Sequence, residues 1–344
     1  MSEKKISRRD FIKTASGLVA LLSGGIGIVS CNGSNSNIKR KGDLIILPDH
    51  GEVIVASDFH AKYDVFENWL KQTNLVKRIR NEDVYGLVLG DVVSIKKDDP
   101  PLDKDGDSRI LDKIIEIQEN KYGKKFILLK GNHESFSAKV YQEKRINQRN
   151  QEKKVEELYA KEVTYYDKFF ADLEHGQTIP DGEYYKAFNF IERMTEEHFK
   201  YLKKLPVAAI SKNGIVFTHA GPSLVEKNLV DIAKGIDESD DGILWGRPKC
   251  KIDDGVPYTV EDIKEFLKRM NNSSLLVSGH TPVDWLHNYD PKKVAGFVGG
   301  QQVIIATGYG AEEDKKSYLV LDLSKRYEGV KDLAVGKEIQ VLKK

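Results

Sequence analysis

Cysteine is scarce in this sequence, and neither sign of charge dominates. Two cysteines among 344 residues cannot form a disulfide framework. Lysine and arginine number 54 against 53 aspartate and glutamate residues, so the net charge of +1 predicts no nucleic-acid partner. We also find no internal repeat. The 40% of apolar and 31% of charged residues are typical of a soluble globular protein that buries a sizeable core.

The chain also lacks a long apolar run. Its N-terminal apolar segment, Ala15–Val29, has about 15 residues, fewer than the ~20 that a membrane-spanning helix needs. The basic stretch Ser7–Lys13 precedes this segment and carries the pair Arg8-Arg9. This arrangement resembles a twin-arginine export signal, which bacteria use for proteins that fold before export. We therefore expect residues 1–30 to be a signal peptide.

Cys31 follows Ile28-Val29-Ser30, and this stretch resembles a lipobox, in which cleavage before the cysteine leaves a lipidated N-terminus. The alternative is an ordinary signal peptide with an incidental cysteine. Lipidation predicts an exported protein that is held in the cell envelope by a membrane anchor on Cys31. Small polar residues follow, which favours a flexible tether over residues 31–48. Cys250 would then have no partner, and we interpret it as a packing residue.

The body of the chain contains five short polar boxes, each directly after a short apolar run. The apolar runs predict buried strands, and in layered α/β folds binding sites gather outside the carboxyl ends of such strands. The central box, Lys130–Glu134, follows the apolar run Phe126–Leu129. Together the boxes place seven candidate site residues at strand ends: Asp58, His60, Asp91, Asn132, His133, His219 and His280.

These side chains predict a metal-dependent hydrolase. Carboxylates and imidazoles around one cavity bind divalent ions of the first transition row. Asp91, from the second box, can bridge two ions, and a pair of ions suits an in-line displacement at phosphorus. His133, next to Asn132, is placed to protonate the leaving oxygen. No glycine-rich nucleotide loop competes with this interpretation, because Gly24–Gly27 lies in the leader.

The five boxes resemble those of the calcineurin-like metallophosphoesterases. Four further stretches resemble the phosphoprotein phosphatase branch, in its order: Leu205–Ile210, Thr218–Pro222, Ile243–Trp245 and Thr307–Gly310. The resemblance covers roughly residues 50–323. It implies an α/β fold, a four-layer αββα sandwich with mixed sheets, in a catalytic domain over residues 49–344. The charged, helix-favouring stretch 135–205 would be a helical insertion beside the site.

Transferred position by position, the resemblance implies two metal sites that share one carboxylate. Asp58, His60 and Asp91 would hold the first ion. The second ion would be held by Asp91, Asn132, His219 and His280. His133 would be the general acid, and a hydroxide that bridges the ions would attack phosphorus. The implied ions are manganese, iron or zinc.

Two departures from the family pattern concern the residues that orient the acid and bind phosphate. The family's second box runs Gly-Asp-x-x-Asp-Arg, whereas this chain has Ser94 and Ile95 at the last two positions. A second phosphate-binding arginine, expected near residues 253–255, is also missing. Arg247 is the nearest replacement, because a guanidinium fork suits phosphate oxygens.

The remaining patterns predict local structure. Apolar spacing indicates one helix over Val65–Arg80 and another over Ile110–Gln118. The acidic loop within Lys96–Arg109 fails the calcium-loop pattern, because its glycine stands at the wrong position. His175 and His198 lie outside every box, and we expect both at the surface.

Some side chains near the boxes have no assigned role. The partner of His133 could be Asp98, Asp99 or no residue that the sequence identifies. Packing is the better interpretation than a place in the pocket for three others: Lys62, Trp245 and Tyr309.

The leading function is an exported, lipid-anchored phosphomonoesterase of the phosphoprotein phosphatase type, acting on phosphorylated serine and threonine, or tyrosine. A second enzymatic interpretation is hydrolysis of diadenosine polyphosphates or other small phosphate esters. A third interpretation is a non-catalytic protein that binds phosphorylated ligands, which the loss of both phosphate-binding arginines supports. The expected partners are a phosphorylated protein or a small phosphate ester, and the membrane.

Overall fold

The structure, a computed structural model, describes residues 38–96, 102–150, 190–191, 193–225, 228–236, 242–251 and 257–343. Several sequence-based predictions lie outside these residues: the signal peptide over 1–30, Cys31, Asp98, Asp99, His175 and the stretch 253–255. Among the described residues, no helix combines the length and the apolar character that crossing a membrane requires.

The described part of the chain begins and ends with runs of strands, and strands and helices are interspersed between them. The strands are β1 (Lys39–Lys41), β2 (Leu44–Leu47), β3 (Glu52–Ala56), β4 (Val84–Val88), β5 (Phe126–Leu128), β6 (Ala208–Ser211), β7 (Ile215–Thr218), β8 (Leu275–Ser278), β9 (Gly296–Val298), β10 (Gln302–Ile304), β11 (Ser317–Asp322) and β12 (Ile339–Val341). The helices are α1 (Tyr63–Gln72), α2 (Leu75–Asn81), α3 (Gly106–Glu119), α4 (Asn132–Asn150), α5 (Glu196–Lys203), α6 (Leu229–Lys234), α7 (Gly242–Trp245) and α8 (Val260–Arg269).

The strands form two mixed sheets. The five-stranded sheet has the order β12-β11-β3-β4-β5, in which β3, β4 and β5 run parallel and β11 and β12 add antiparallel neighbours. The seven-stranded sheet has the order β1-β2-β6-β7-β8-β10-β9, and its neighbours β7 and β8 run parallel. Parallel neighbours end at the same edge of a sheet, so the loops after β3, β4 and β5 are adjacent, as are those after β7 and β8.

The two sheets pack face to face, as the alternation of side chains along β3 illustrates. Val53 and Val55 point into the core between the sheets, where they join Phe217 of β7. Ile54 points the other way and packs in an outer core with Trp69 of α1. On the far side, α8 packs against β8 and α6 against β2. The order helix, sheet, sheet, helix confirms the predicted four-layer αββα sandwich.

One predicted helix is in fact two. The apolar spacing predicts a single helix over Val65–Arg80, but Asn74 adopts the left-handed backbone conformation, with φ 50°, between α1 and α2. Asparagine is one of the few residues that adopt this conformation as single residues. The spacing does not reveal the break, because Trp69 and Ile79 are buried on either side of it.

The predicted tether is too long. Its expected range is 31–48, but β1 and β2 lie within it. β2 pairs in parallel with β6, and its Ile45 and Leu47 reach the core between the sheets. The short apolar run in β2 explains the difference, because burying these side chains outweighs the polar character of the residues before them. The folded domain therefore begins before residue 49. The edge strands β9 and β12 were not predicted either.

The stretch 135–205, predicted to be an insertion, contributes to the outer core at both of its described ends. α4 begins at Asn132, and the ring of its Tyr141 lies 5.2 Å from that of Phe199 in α5. Phe190 and Leu202 are fully buried in the same core. These ends therefore belong to the helical layer that covers the five-stranded sheet.

Two polar regions outside the boxes also take defined structures. His198 was predicted at the surface, and this is wrong: it is buried at the start of α5, where its Nε2 lies 2.7 Å from Asp112 Oδ1. Its local capping box with Thr195 explains why an imidazole is placed there. In the acidic loop, α3 begins at Gly106, earlier than predicted, and Asp107 Oδ1 accepts a hydrogen bond from Arg193.

Candidate metal centre

The structure brings all seven candidate site residues together at one edge of the sandwich. Asp58 and His60 follow β3, and Asp91 follows β4. Asn132 and His133 form the first turn of α4, directly after β5. The second sheet contributes two imidazoles, because His219 follows β7 and His280 follows β8. The site therefore forms where the carboxyl ends of parallel strands from both sheets meet.

Four of these residues have a backbone conformation that side chains disfavour. The φ angles are 55° at Asp58, 43° at His60, 53° at Asp91 and 62° at His280. Each such residue costs about 1–3 kcal/mol, and such costs persist where surrounding structure imposes them, often at functional sites. Their amide groups are all held: those of Asp58 and His60 donate to the carbonyls of Gly90 and Asp91, at 3.2 and 2.9 Å. The folded chain thus fixes the direction of each ligand side chain.

A first ligand group surrounds one oxygen of Asp91. The Oδ2 atom of Asp91 lies 3.5 Å from His60 Nε2 and 3.9 Å from His133 Nε2. Asp58 Oδ1 faces the same His60 nitrogen at 3.8 Å. The other nitrogen of His60, Nδ1, lies 3.1 Å from the carbonyl oxygen of Ser94, to which it donates. This bond places the proton on Nδ1 and turns the lone pair of Nε2 toward the carboxylates.

A second ligand group shares the same carboxylate. Asp91 Oδ2 lies 3.4 Å from His219 Nε2. That nitrogen is also 2.9 Å from Asn132 Oδ1 and 3.1 Å from His280 Nδ1. His219 Nδ1 faces the carbonyl oxygen of Leu89 at 3.1 Å, so Nδ1 donates there and Nε2 points into the group. The nitrogen and oxygen atoms of this group converge on one point, as the ligands of a shared metal ion do.

The electrostatics of the pocket also favour cations. Burial opposes charge on His219, yet the carboxylates of Asp91, Asp58 and Glu134 outweigh it and raise the pKa of His219 to about 9. Burial, reinforced by Asp91, raises the pKa of Asp58 to about 6. Burial and the charge of Arg247 keep the pKa of His280 well below its usual value, so this ring is neutral and able to bind a metal. The residues therefore fit two divalent ions of the first transition row, held by nitrogen and oxygen ligands.

Glu134 supports the site and was not singled out in the sequence. Its buried carboxylate accepts hydrogen bonds from the amides of Asp91, Val92 and Gly131, each at 2.8 Å. A fourth amide, that of Val93, donates at 3.3 Å. One carboxylate thus holds the loop after β4 against the loop after β5. The signal was available, since Glu134 completes the central box, but its role depends on contacts that sequence does not reveal.

Gly131 allows this close approach. A Cβ atom there would lie 2.6 Å from both the amide nitrogen of Asp91 and Glu134 Oε2, well inside contact distance. Only glycine lets the loops after β4 and β5 meet in this way.

His133 is the imidazole of the set that is most open to solvent, with 17% of its side chain exposed against 1% for His60 and 0% for His219. Its Nε2 lies 3.1 Å from Lys96 Nζ, a contact that the sequence did not suggest. Burial and the charge of Lys96 lower the pKa of His133 to about 3. Lys96 is thus a neighbour of His133, and the predicted partners Asp98 and Asp99 lie outside the described residues.

Ser94 and Arg247, the residues involved in the two departures from the family pattern, lie beside different ligand groups. Ser94 contributes its carbonyl oxygen to His60, whereas its buried hydroxyl has no hydrogen-bond partner within the described chain. Arg247 donates from Nη1 to the carbonyl oxygen of His280, at 2.9 Å, and its guanidinium lies 5.3 Å from the ring centre of Trp285. It borders the second ligand group, and its role in binding phosphate stays a prediction.

The three side chains expected to pack also have defined positions. Lys62 is buried, and Trp245 is half-buried. Tyr309 borders the site, because its ring stands edge to face with His60, with centres 5.2 Å apart.

Solved structures similar to this chain include a protein serine/threonine phosphatase from Saccharomyces cerevisiae, at 15% identity over 82% of this chain and 83% of that one, with a TM-score of 0.43. Another is a cold-active protein-tyrosine phosphatase from a psychrophilic Shewanella species, at 13% identity over 93% and 87%, with a TM-score of 0.48. A putative diadenosine tetraphosphatase is 14% identical over 81% and 94%, with a TM-score of 0.43. No curated protein matches the chain.

The family model of the calcineurin-like phosphoesterases matches residues 51–284. This range is more than half of the chain, and it includes every residue of both ligand groups. The chain is therefore a metal-dependent phosphoric ester hydrolase and belongs to the calcineurin-like phosphoesterase family.

Proposed function

We propose that this protein is a two-metal phosphatase that hydrolyses phosphate monoesters. The observation that carries the proposal is the position of Asp91, whose Oδ2 atom faces His60 in one ligand group and His219 in the other, at 3.5 and 3.4 Å. A carboxylate shared in this way suits two neighbouring ions. Bound there, the ions would activate a water molecule and neutralise charge on the phosphoryl oxygens. Manganese, iron and zinc all suit this donor set.

The chain's own residues would divide the remaining work. Hydrolysis breaks the ester P–O bond, adds a hydroxide to phosphorus and adds a proton to the leaving oxygen. His133 would supply that proton, because the charge of a bound phosphate would raise the pKa of this ring from its low value, and the ring is the most exposed imidazole of the set. His60 and His219 are locked by backbone carbonyls and would hold their ligand geometry unchanged through the reaction. Arg247 would contact a phosphoryl oxygen from the side of His280.

For the substrate, we propose phosphorylated proteins, with serine, threonine or tyrosine phosphate as the target. The support is the order of stretches that resemble the phosphoprotein phosphatase branch, which include Thr218–Pro222 and Thr307–Gly310. Small phosphate esters and diadenosine polyphosphates are the alternative substrates. They share the phosphoryl group, so substrate panels distinguish them.

The test compares an aryl phosphate monoester with the matched diester, using the purified chain and added manganese. We expect monoester turnover that needs manganese and exceeds diester turnover by at least about tenfold. The reason is that two cationic side chains, Lys96 and Arg247, border the site and attract a dianion more strongly than a monoanion. Turnover of the diester alone would contradict the proposal and indicate a nuclease-like or nucleotide substrate. No turnover with two metals bound would instead support a non-catalytic protein that binds phosphorylated ligands.

We further propose that the protein is exported by the twin-arginine route and anchored in the cell envelope by lipid on Cys31. The support is the basic stretch with Arg8-Arg9 and the lipobox that ends at Cys31. The variant Cys31→Ser is expected to move the protein from the membrane fraction to the soluble fraction, because it removes the site of acylation. An unchanged distribution would contradict the anchor, and Cys250→Ser serves as the matched control.

A further inference from the structure

Lys96 places a positive charge at the open side of the metal centre. Its Nζ lies 3.1 Å from His133 Nε2 and 5.3 Å from the ring centre of Tyr309. An ammonium group only donates hydrogen bonds, so His133 accepts. The contact with the aromatic face of Tyr309 adds a cation–π attraction that holds the ammonium in this place. Both neighbours border His60, whose ring centre is 5.0 Å from His133 and 5.2 Å from Tyr309.

Among the residues that the structure describes, little else at this side of the site offers positive charge to a phosphate. Ser94 and Ile95, at the positions where the family pattern has an aspartate and an arginine, are neutral. Arg247 lies against the second ligand group, where it donates to the carbonyl oxygen of His280. Lys96 lies against the first, through His133. A phosphoryl group bound over Asp91 would therefore have one cationic side chain from each side.

The chemistry of the two cations fits a phosphate monoester. A monoester has three terminal oxygens and carries two negative charges near neutral pH, whereas a diester has two and carries one charge. A lysine ammonium is a compact point charge with three N–H donors, so it can contact His133 and a phosphoryl oxygen at the same time. Its flexible stem also lets it follow the phosphoryl group, whereas a shorter side chain at position 96 could not.

We propose that Lys96 binds the terminal phosphoryl oxygen that distinguishes a monoester from a diester, and so makes the site selective for phosphate monoester dianions. Lys96 would thus bind phosphate in place of the arginine that the family pattern has at position 95, where this chain has Ile95. This inference rests on the proposed phosphatase function and specifies its substrate class. Lys96 is thus a substrate-binding residue.

The test uses the full chain loaded with manganese and compares Lys96→Met with Lys96→Arg. We expect Lys96→Met to lower kcat/KM for the aryl phosphate monoester by about 10- to 100-fold, the range expected for one charge-assisted hydrogen bond. Diester turnover is expected to change by less than about threefold, because the diester lacks the oxygen in question. Lys96→Arg, which keeps the charge, should retain most of the monoester activity.

A second readout does not depend on turnover. Binding of inorganic phosphate, measured by calorimetry on the manganese-loaded protein, should weaken by about the same factor in Lys96→Met as kcat/KM falls. Lys77→Met is the matched control, because it makes the same chemical change at an exposed position on α2, away from the site. Metal content is measured in every variant, and Lys96→Gln replaces the methionine variant if that one does not fold.

The outcomes separate the two proposals. Equal losses for monoester and diester, or unchanged phosphate affinity in Lys96→Met, would overturn the role of Lys96 while the phosphatase function stands. If the parent protein hydrolyses no monoester, the proposed function fails, and phosphate affinity alone then decides whether Lys96 binds the anion. A selective loss of monoester turnover together with weaker phosphate binding would establish the role.

Discussion

Asp91→Asn is expected to lower kcat/KM for an aryl phosphate monoester by at least about 10³-fold. The Oδ2 atom of Asp91 faces both ligand groups, with His60 at 3.5 Å and His219 at 3.4 Å. An amide cannot supply the negative charge that two ions share, and metal ions contribute several kcal/mol to the stabilisation of charge in such reactions. A loss of about 4 kcal/mol corresponds to roughly a 10³-fold change in rate. The variant should also bind less than two equivalents of manganese.

The fold should survive this change, which makes the result interpretable. The amide of His133 donates to Asp91 Oδ1 at 3.1 Å, and the carbonyl oxygen of an asparagine can accept the same bond. Asp64→Asn is the control, because Asp64 is exposed in the first turn of α1. Activity and metal content are measured beside the unfolding midpoint. An Asp91→Asn protein with parental turnover and two bound ions would show that Asp91 is no shared ligand.

Glu134→Ala should produce the largest loss of stability. The carboxylate of Glu134 accepts four backbone amides from the loops after β4 and β5. Each buried amide that loses its acceptor costs about 1–3 kcal/mol. Allowing for rearrangement and water entry, we expect the free energy of unfolding to fall by about 3–5 kcal/mol. Because Asp91 lies in the released loop, kcat/KM should also fall, by about 10²-fold.

Glu134→Gln is the informative comparison for this prediction. Glutamine keeps one oxygen acceptor in the same place and turns an N–H donor toward the remaining amides. Glu134→Gln should therefore lower the free energy of unfolding, but by less than Glu134→Ala does. Chemical denaturation of each variant, with and without manganese, gives the free energies. If Glu134→Ala unfolds at the parental denaturant concentration, the four bonds do not hold the two loops together, and the account of this carboxylate is wrong.

The sequence was most informative where chemistry and secondary structure coincide. Apolar runs followed by polar boxes predicted both the strand ends and the side chains found there, because a buried strand is apolar in composition and a ligand loop is polar. The run before Asp91 and the run before His280 are examples. The layered fold followed from the same pattern together with the family resemblance. Ligand roles at these positions remain predictions that depend on metal binding.

The sequence was least informative where a role depends on distance in space. The contact of Lys96 with His133 joins residues 37 positions apart, and nothing in the residues near Ile95 indicates it. Glu134 was visible in the central box, yet its four amide partners appear only when the loops meet. Asn74 interrupts a regular apolar pattern through its backbone alone. In each example the local sequence is ordinary, and the role of the residue is visible only in the folded structure.

The placement of the ligands on both sheets also bears on how the protein matures. The amide of His280 donates to Asp58 Oδ2 at 2.9 Å, across 222 positions of the chain. Contacts between such distant residues close large loops, and chains that rely on them fold slowly. A ribosome must therefore release nearly the whole domain before the centre can assemble. Metal uptake would then belong to the last stage of maturation, and bound ions would join the two sheets, so that losing the ions would destabilise both sheets together.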